Sequence, residues 1–123
     1  MDGLEVFFKD LDGGDEVKPA LLHGDLWMGN IDFVSSSHPT IFDPASFYGH
    51  SEFDLSLMTM FGSPKPSFWP AYWEAMGGKP SGFENRRHLY QLFHYLNHLL
   101  IFGSGYRGST MTTLAQCLRI LKV

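Results

Sequence analysis

His23-Gly24-Asp25-Leu26-Trp27-Met28-Gly29-Asn30 is the stretch on which the reading of this chain turns, and Phe42-Asp43-Pro44-Ala45 follows shortly after it. An aspartate, an asparagine five positions on and a second aspartate beyond a short hairpin form a compact acid/amide cluster. Hard oxygen ligands of this kind suit a divalent metal on a nucleotide phosphate, and a lone carboxylate suits the positioning of an attacking hydroxyl.

The hairpin follows from the residues between the two motifs. Ile31-Asp32-Phe33-Val34 alternates and reads as a strand, Ser35-Ser36-Ser37-His38-Pro39 as a turn, and Thr40-Ile41-Phe42 as the returning strand. Antiparallel pairing around such a turn sets positions summing to about 74 opposite each other, which brings Asn30 and Asp43 to one edge. Asp25-x-x-x-x-Asn30 with His23 in front has the spacing of the kinase catalytic loop, H-x-D-x-x-x-x-N. Asp25 is then the candidate base, with Asn30 and Asp43 as candidate metal ligands. Asp and Asn also favour turns, and a bare D-x-x-x-x-N carries little weight. The added His23, Gly24, Trp27 and Asp43 give it weight.

Around this centre the chain reads as α+β and mostly helical. Leu4, Phe7, Phe8 and Leu11 have helical spacing within residues 2–12, and Gly13-Gly14-Asp15 breaks it. Lys18 to Leu22 is extended, and residues 44–50 read as a loop. Ser51-Glu52-Phe53-Asp54 has the pattern of a capping box opening a helix to about Phe61. A second short helix is expected from Ser67 to Met76, with Pro70 in its first turns. The longest helix is expected from Phe83 to Phe102, with an apolar stripe of Leu89, Leu92, Phe93, Leu96, Leu99 and Leu100 and Gly103 at its end. A last amphipathic helix runs from Thr110 to Leu121. The domain reading is a single domain over 1–123: helix tail and linker (1–17), catalytic loop, hairpin and metal loop (18–54), and a helical subdomain (55–123).

Composition bounds the function. The 123 residues are 44% hydrophobic and 18% charged, which is globular and not disordered. Aromatic residues make up 15%, with eleven Phe, so rings dominate the core or an interface. A formal net charge of -4 gives no footprint for nucleic acid. Cys117 is the one cysteine, so no internal disulfide forms and a reduced, cytoplasmic location is expected. No apolar run is long enough to cross a membrane, and the first residues are no signal peptide.

The motif His23-Gly24-Asp25-Leu26-Trp27-x-Gly29-Asn30, with the run from Asp43-Pro44-Ala45-Ser46-Phe47-Tyr48-Gly49-His50 to Asp54-Leu55, resembles the fructosamine/ketosamine kinase family. Leu89 to His98 is similar to that family's C-terminal helix. The resemblance covers roughly residues 18–121, and the second run narrows it beyond other small-molecule kinases. It implies a protein-kinase-like C-lobe, with the catalytic loop and short β-hairpin packed on about four helices. It also implies ATP- and Mg2+-dependent phosphorylation of the sugar 3-hydroxyl of ketosamines, free or on glycated protein lysines. Asp25 would be the base, and Asn30 and Asp43 the magnesium ligands. Asp54 would brace the loop with His23, a role compatible with its being the partner of the Ser51 cap. Trp27 is read as a ring stacking on the sugar or as a core aromatic. His50 and Glu52 border the substrate pocket or form an exposed loop pair.

Two further patterns are set aside. Gly103-Ser104-Gly105-Tyr106-Arg107-Gly108 matches G-x-G-x-x-G but follows a helix and not a strand, so it reads as a connection. His94 and His98 have zinc spacing, but Tyr95 stands where the metalloprotease pattern needs Glu, so they read as polar-face histidines. A kinase also needs a Gly-rich strand pair and a strand lysine. Lys9, Lys18, Lys65, Lys79 and Lys122 lie in no such strand. The expectation is a C-lobe without its N-lobe, inactive alone, with apolar surface on the side facing the N-lobe that favours self-association. The competing readings are a non-catalytic interaction module and a related kinase acting on an aminoglycoside, choline or homoserine-type alcohol.

Overall fold

The computed structural model describes residues 3–9, 11, 17–35 and 37–123, which form two compact units. One contains residues 17–80, and the other residues 1–16 with 81–123. The expected break at Gly13–Asp15 lies outside the described residues. About half of the chain is helical and the strands are few and short, an α+β architecture.

In the unit of residues 17–80, β1 (Ala20–Leu22) pairs antiparallel with β4 (Phe47–Gly49), with Leu22 facing Phe47 and Ala20 facing Gly49. The reading of 44–50 as loop is thus corrected: half of that span is a strand. Leu22 is buried, and β1 feeds directly into the His23 loop. A 310 turn, Met28–Asn30, leads into β2 (Ile31–Ser35), which pairs with β3 (His38–Ile41).

The hairpin register is tighter than its spacing implies. Ile31 faces Ile41, Asp32 faces Thr40 and Phe33 faces Pro39; an irregularity then lets Ser35 face His38. The returning strand begins at His38, whose Nδ1 lies 2.8 Å from Ser35 Oγ and 3.0 Å from Ser37 Oγ. Asn30 therefore lies opposite Phe42, whose N–H donates to the Asn30 carbonyl at 3.2 Å, and Asp43 is the next residue out.

The helix after β4, α2 (Glu52–Leu57), is shorter than expected, and Ser51 makes no side-chain cap bond. Ser51 itself has helical backbone angles, φ -55° and ψ -28°, where a cap needs an extended residue, and the Asp54 carboxylate is bonded elsewhere. Leu55, Leu57 and Met58 are buried beside Glu52, Asp54 and Ser56. A turn at Gly62 leads to α3 (Phe68–Ala75), as expected, with Pro70 where its missing N–H costs nothing.

The other unit is built on α4 (Phe83–Phe102), whose ends are those read from the sequence, and α5 (Arg107–Leu121), which starts three residues before the expected Thr110. The Gly103 N–H closes α4 onto Leu99 O at 3.0 Å, and Ser104–Tyr106 is a 310 turn, so the glycine-rich segment is a connection. α5 buries Thr110, Thr113 and Cys117 at helical spacing, and the Thr110 hydroxyl reaches Tyr95 O on α4 at 3.3 Å. α1 (Glu5–Phe8) is a short piece of the expected 2–12 helix. Its Phe7 is buried, and Phe8 packs edge-on against Tyr90.

The buried face of α4 is not the leucine stripe. It carries Phe83, Arg86 and His94, while Phe93, Leu96 and Leu100 are exposed. Fully buried Arg86 donates to Phe7 O at 3.2 Å and Ser81 O at 2.7 Å, so a charged fork, and not leucine, fixes which side faces α1. His94 is buried rather than on a polar face, and His98 Nδ1 bonds the His94 carbonyl at 2.8 Å. The His98 ring packs with Phe102 and Tyr106. No helix among the described residues is long and apolar enough to cross a membrane.

Candidate functional site

The site grows from the β1–β4 pair. Because Leu22 faces Phe47, the chain just past each strand end stays in register, and the Ala45 N–H donates to His23 O at 2.8 Å. Gly24 sits at φ +84°, and a Cβ there would land on the Ala45 carbonyl oxygen. Only glycine supplies both the left-handed turn and this close approach. The two sequence motifs are thus bonded backbone to backbone.

Asp54 holds the loop from the other side. Its Oδ2 accepts the His23 N–H at 2.8 Å and its Oδ1 the Gly24 N–H at 2.9 Å. Two charge-assisted bonds to consecutive amides fix the two peptide planes that lead into Gly24, the residue before Asp25.

His23 ties the loop to the end of the hairpin. Its Nδ1 accepts the Asp25 N–H at 3.3 Å, and its Nε2 lies 2.8 Å from Phe42 O. A nitrogen that accepts an amide proton carries none, so the ring is the Nε2–H tautomer donating to Phe42. Phe42 is gripped at both ends, by the Asn30 carbonyl through its N–H and by His23 through its own carbonyl. Asp43 follows in the left-handed region at φ +53°, which aspartate tolerates better than most residues.

Asn30 is buried, and its Nδ2 donates to Asp25 O at 2.9 Å and to Asp25 Oδ2 at 3.0 Å. One amide nitrogen thus orients the Asp25 carboxylate and closes the loop behind it. Both amide protons are used, which leaves Oδ1 as the part of that side chain able to meet a cation. Trp27 lies across Gly29, where a Cβ would sit within its ring, and meets Phe61 edge-on at 6.2 Å. Trp27 remains 37% exposed.

His50 Nε2 lies 3.8 Å from Glu52 Oε1. Glu52 is only 1% exposed, which corrects the exposed-loop reading for that residue. Tyr72 on α3 is the residue the sequence reading missed. Burial pushes its phenol up, and the Asp54 and Glu52 carboxylates add to the push. The only sequence signal was a tyrosine amid other rings. The structure brings His23, Asp25, Asn30 and Asp54 into one hydrogen-bonded network with the backbone of Phe42 and Ala45. Asp43 joins by sequence adjacency to Phe42. Among the described residues no group of three His, Cys, Asp or Glu gathers as a metal cluster.

The profile of the fructosamine kinase family matches residues 5–120, and the chain belongs to that family. It is 59% identical over 104 residues to the ketosamine-3-kinase of Mus musculus, covering 85% of this chain and 32% of that protein. It is 49% identical over 106 residues to the chloroplastic protein-ribulosamine 3-kinase of Arabidopsis thaliana, covering 86% of this chain and 32% of that one. A crystal structure from Thermobifida fusca, assigned by name to the fructosamine-3-kinases, superposes with a TM-score of 0.76 at 32% identity. That match covers 95% of this chain and 42% of the other. The chain thus spans about a third of the length of the curated relatives it matches.

Proposed function

We propose that this chain carries the acceptor and metal side of an ATP-dependent ketosamine 3-kinase. The observation that carries the reading is the grip of Asn30 Nδ2 on Asp25, with the loop fixed by Asp54 and His23. Asp25 takes the proton of the sugar 3-hydroxyl as its oxygen bonds the γ-phosphorus of ATP. The bond to the β–γ bridging oxygen breaks, and ADP leaves with the electron pair. Asn30 Oδ1 and the Asp43 carboxylate are a hard oxygen set that fits Mg2+. When bound, the ion neutralises charge on the phosphates. Trp27 offers its exposed face to the sugar, and His50 and Glu52 border the pocket. The acceptor is a ketosamine, free or on a glycated protein lysine.

In this reading residues 1–123 are a single protein-kinase-like C-lobe, which alone holds only part of a nucleotide site and is inactive. The test uses the chain alone and a chimera in which residues 18–121 replace the matching segment of the mouse relative. The chimera is expected to phosphorylate fructosyl-lysine with ATP and magnesium, and the chain alone is not. A panel with an aminoglycoside, choline and homoserine separates related acceptors. A chimera that transfers to none of these, while folded, removes the assignment.

A second reading rests on exposed apolar residues that share one face of α4, Phe93, Leu96 and Leu100. It makes this face a self-association surface of a non-catalytic module. Light scattering over a range of concentrations tests it, and a monomer at all of them removes it.

A further inference from the structure

Among the α-helices of the described residues, α3 alone buries none of its residues, although it carries four rings. The rings form two columns, each of two rings one helical turn apart. Phe68 and Tyr72 stack at 5.6 Å and 24°, and Trp69 and Trp73 at 6.2 Å and 23°. Edge contacts join the columns, Phe68 to Trp69 at 5.1 Å and Tyr72 to Trp73 at 5.0 Å. The result is a preformed aromatic sheet, half-buried throughout. Each such ring commonly buries about 150–250 Å² in a core. Rings held rigid and left part-exposed are suited to recognising a ligand, since they lose little rotamer freedom when it docks.

Its position ties it to the Asp25 loop. The segment entering α3 is seated there, with Phe61 edge-on to Trp27 and Gly62 in contact range of Met28. Tyr72 feels the carboxylates of Asp54 and Glu52, and Asp54 is the residue that binds the His23 and Gly24 amides. The charge of the surroundings is one-sided. Residues 17–80 hold six carboxylates, including Glu74 on α3 itself, against three lysines and no arginine. An aromatic surface in a negative field favours a cation over a neutral group of the same shape.

We propose that Trp69, Tyr72 and Trp73 form the wall that recognises the protonated secondary amine of the ketosamine and the alkyl arm beyond it. This rests on the acceptor assigned above. The amine lies on the ring faces and the methylenes pack along the column, so the wall selects for an aminated sugar and against the plain ketose.

The test is an NMR titration of this chain with three probes: fructosyl-lysine, a neutral 1-O-alkyl fructose ether of matched length, and tetramethylammonium. The wild-type chain is expected to bind the amine about tenfold more tightly than the ether. Trp69→Leu and Trp73→Leu, made singly in case one fails to fold, are each expected to shrink that preference about threefold. The double variant brings it near unity, while Trp73→Phe keeps most of it. Equal binding of amine and ether by the wild type, or a preference untouched in the folded double variant, overturns the wall. If tetramethylammonium shifts the Trp69 and Trp73 indole signals but neither sugar ligand binds, the rings form a cation site and the ketosamine assignment is the part that fails. If no probe binds, both fail.

Discussion

Replacing Asp54 by alanine removes both carboxylate oxygens that hold the amides of His23 and Gly24 at 2.8 and 2.9 Å. Asp54 is buried, so the orphaned N–H groups regain water only if the loop shifts. A hydrogen bond to a charged group contributes about 1.5–3 kcal/mol, and two sharing one part-buried carboxylate lose about 3 kcal/mol together. In a chain of this length that lowers Tm by roughly 10 °C. Asp54→Asn is expected to cost about half as much. Its amide oxygen still accepts one N–H, but its NH2 faces the other donor. Glu74→Ala, exposed on α3, is the control and is expected to stay within about 0.5 kcal/mol. Thermal unfolding gives the magnitude, and amide hydrogen exchange at His23 and Gly24 gives the location. If Asp54→Ala melts within about 2 °C of wild type and those two amides stay protected, the carboxylate is not what holds the loop.

Gly29→Ala forces the Trp27 ring off its seat and away from Phe61, with an expected loss of about 1–3 kcal/mol and a moved Trp27 indole resonance; an unmoved resonance contradicts the packing. Burial pushes the Cys117 thiol up, so the native chain is expected to react with a disulfide reagent at pH 8 far more slowly than the unfolded chain, and equal rates refute this. His88 is pushed down, first by burial and then by Arg87, with Glu84 opposing. The folded state therefore prefers the neutral ring. That stability is present above the ordinary value near 6.5 and is lost as pH falls below it towards the folded value, so His88→Gln is expected to flatten the stability profile on the acid side of 6.5. A profile with unchanged slope refutes the assignment.

The parts of the fold legible in the sequence are those whose physics is local. The 23–30 loop is spelled by turn-forming and polar residues at fixed spacing. The ends of α4 are spelled by the glycines on either side, Gly82 at φ +75° and Gly103 at φ +85°. What failed was decided at a distance. β4 is three residues long and exists because β1, more than twenty residues earlier, offers it a ladder. Helical periodicity located an apolar face on α4, but Arg86, bonded to Phe7 O far away in sequence, chose another face to bury. Ser51 and Asp54 had capping spacing, yet Ser51 takes up helical backbone angles and the Asp54 carboxylate goes to the two amides of the His23 loop. Gly24 and Gly29 stood in the motif without visible reason until the Ala45 carbonyl and the Trp27 ring were placed against them.

Asp25→Asn in the chimera tests the central claim most directly. The amide keeps an oxygen for Asn30 Nδ2, now 3.0 Å from the Asp25 carboxylate, so loop and fold are retained, but it takes no proton. The expected result is a fall in kcat of about 10²–10⁴-fold with Tm and the KM for fructosyl-lysine little changed. A variant that folds and keeps kcat within about tenfold of wild type contradicts Asp25 as the base.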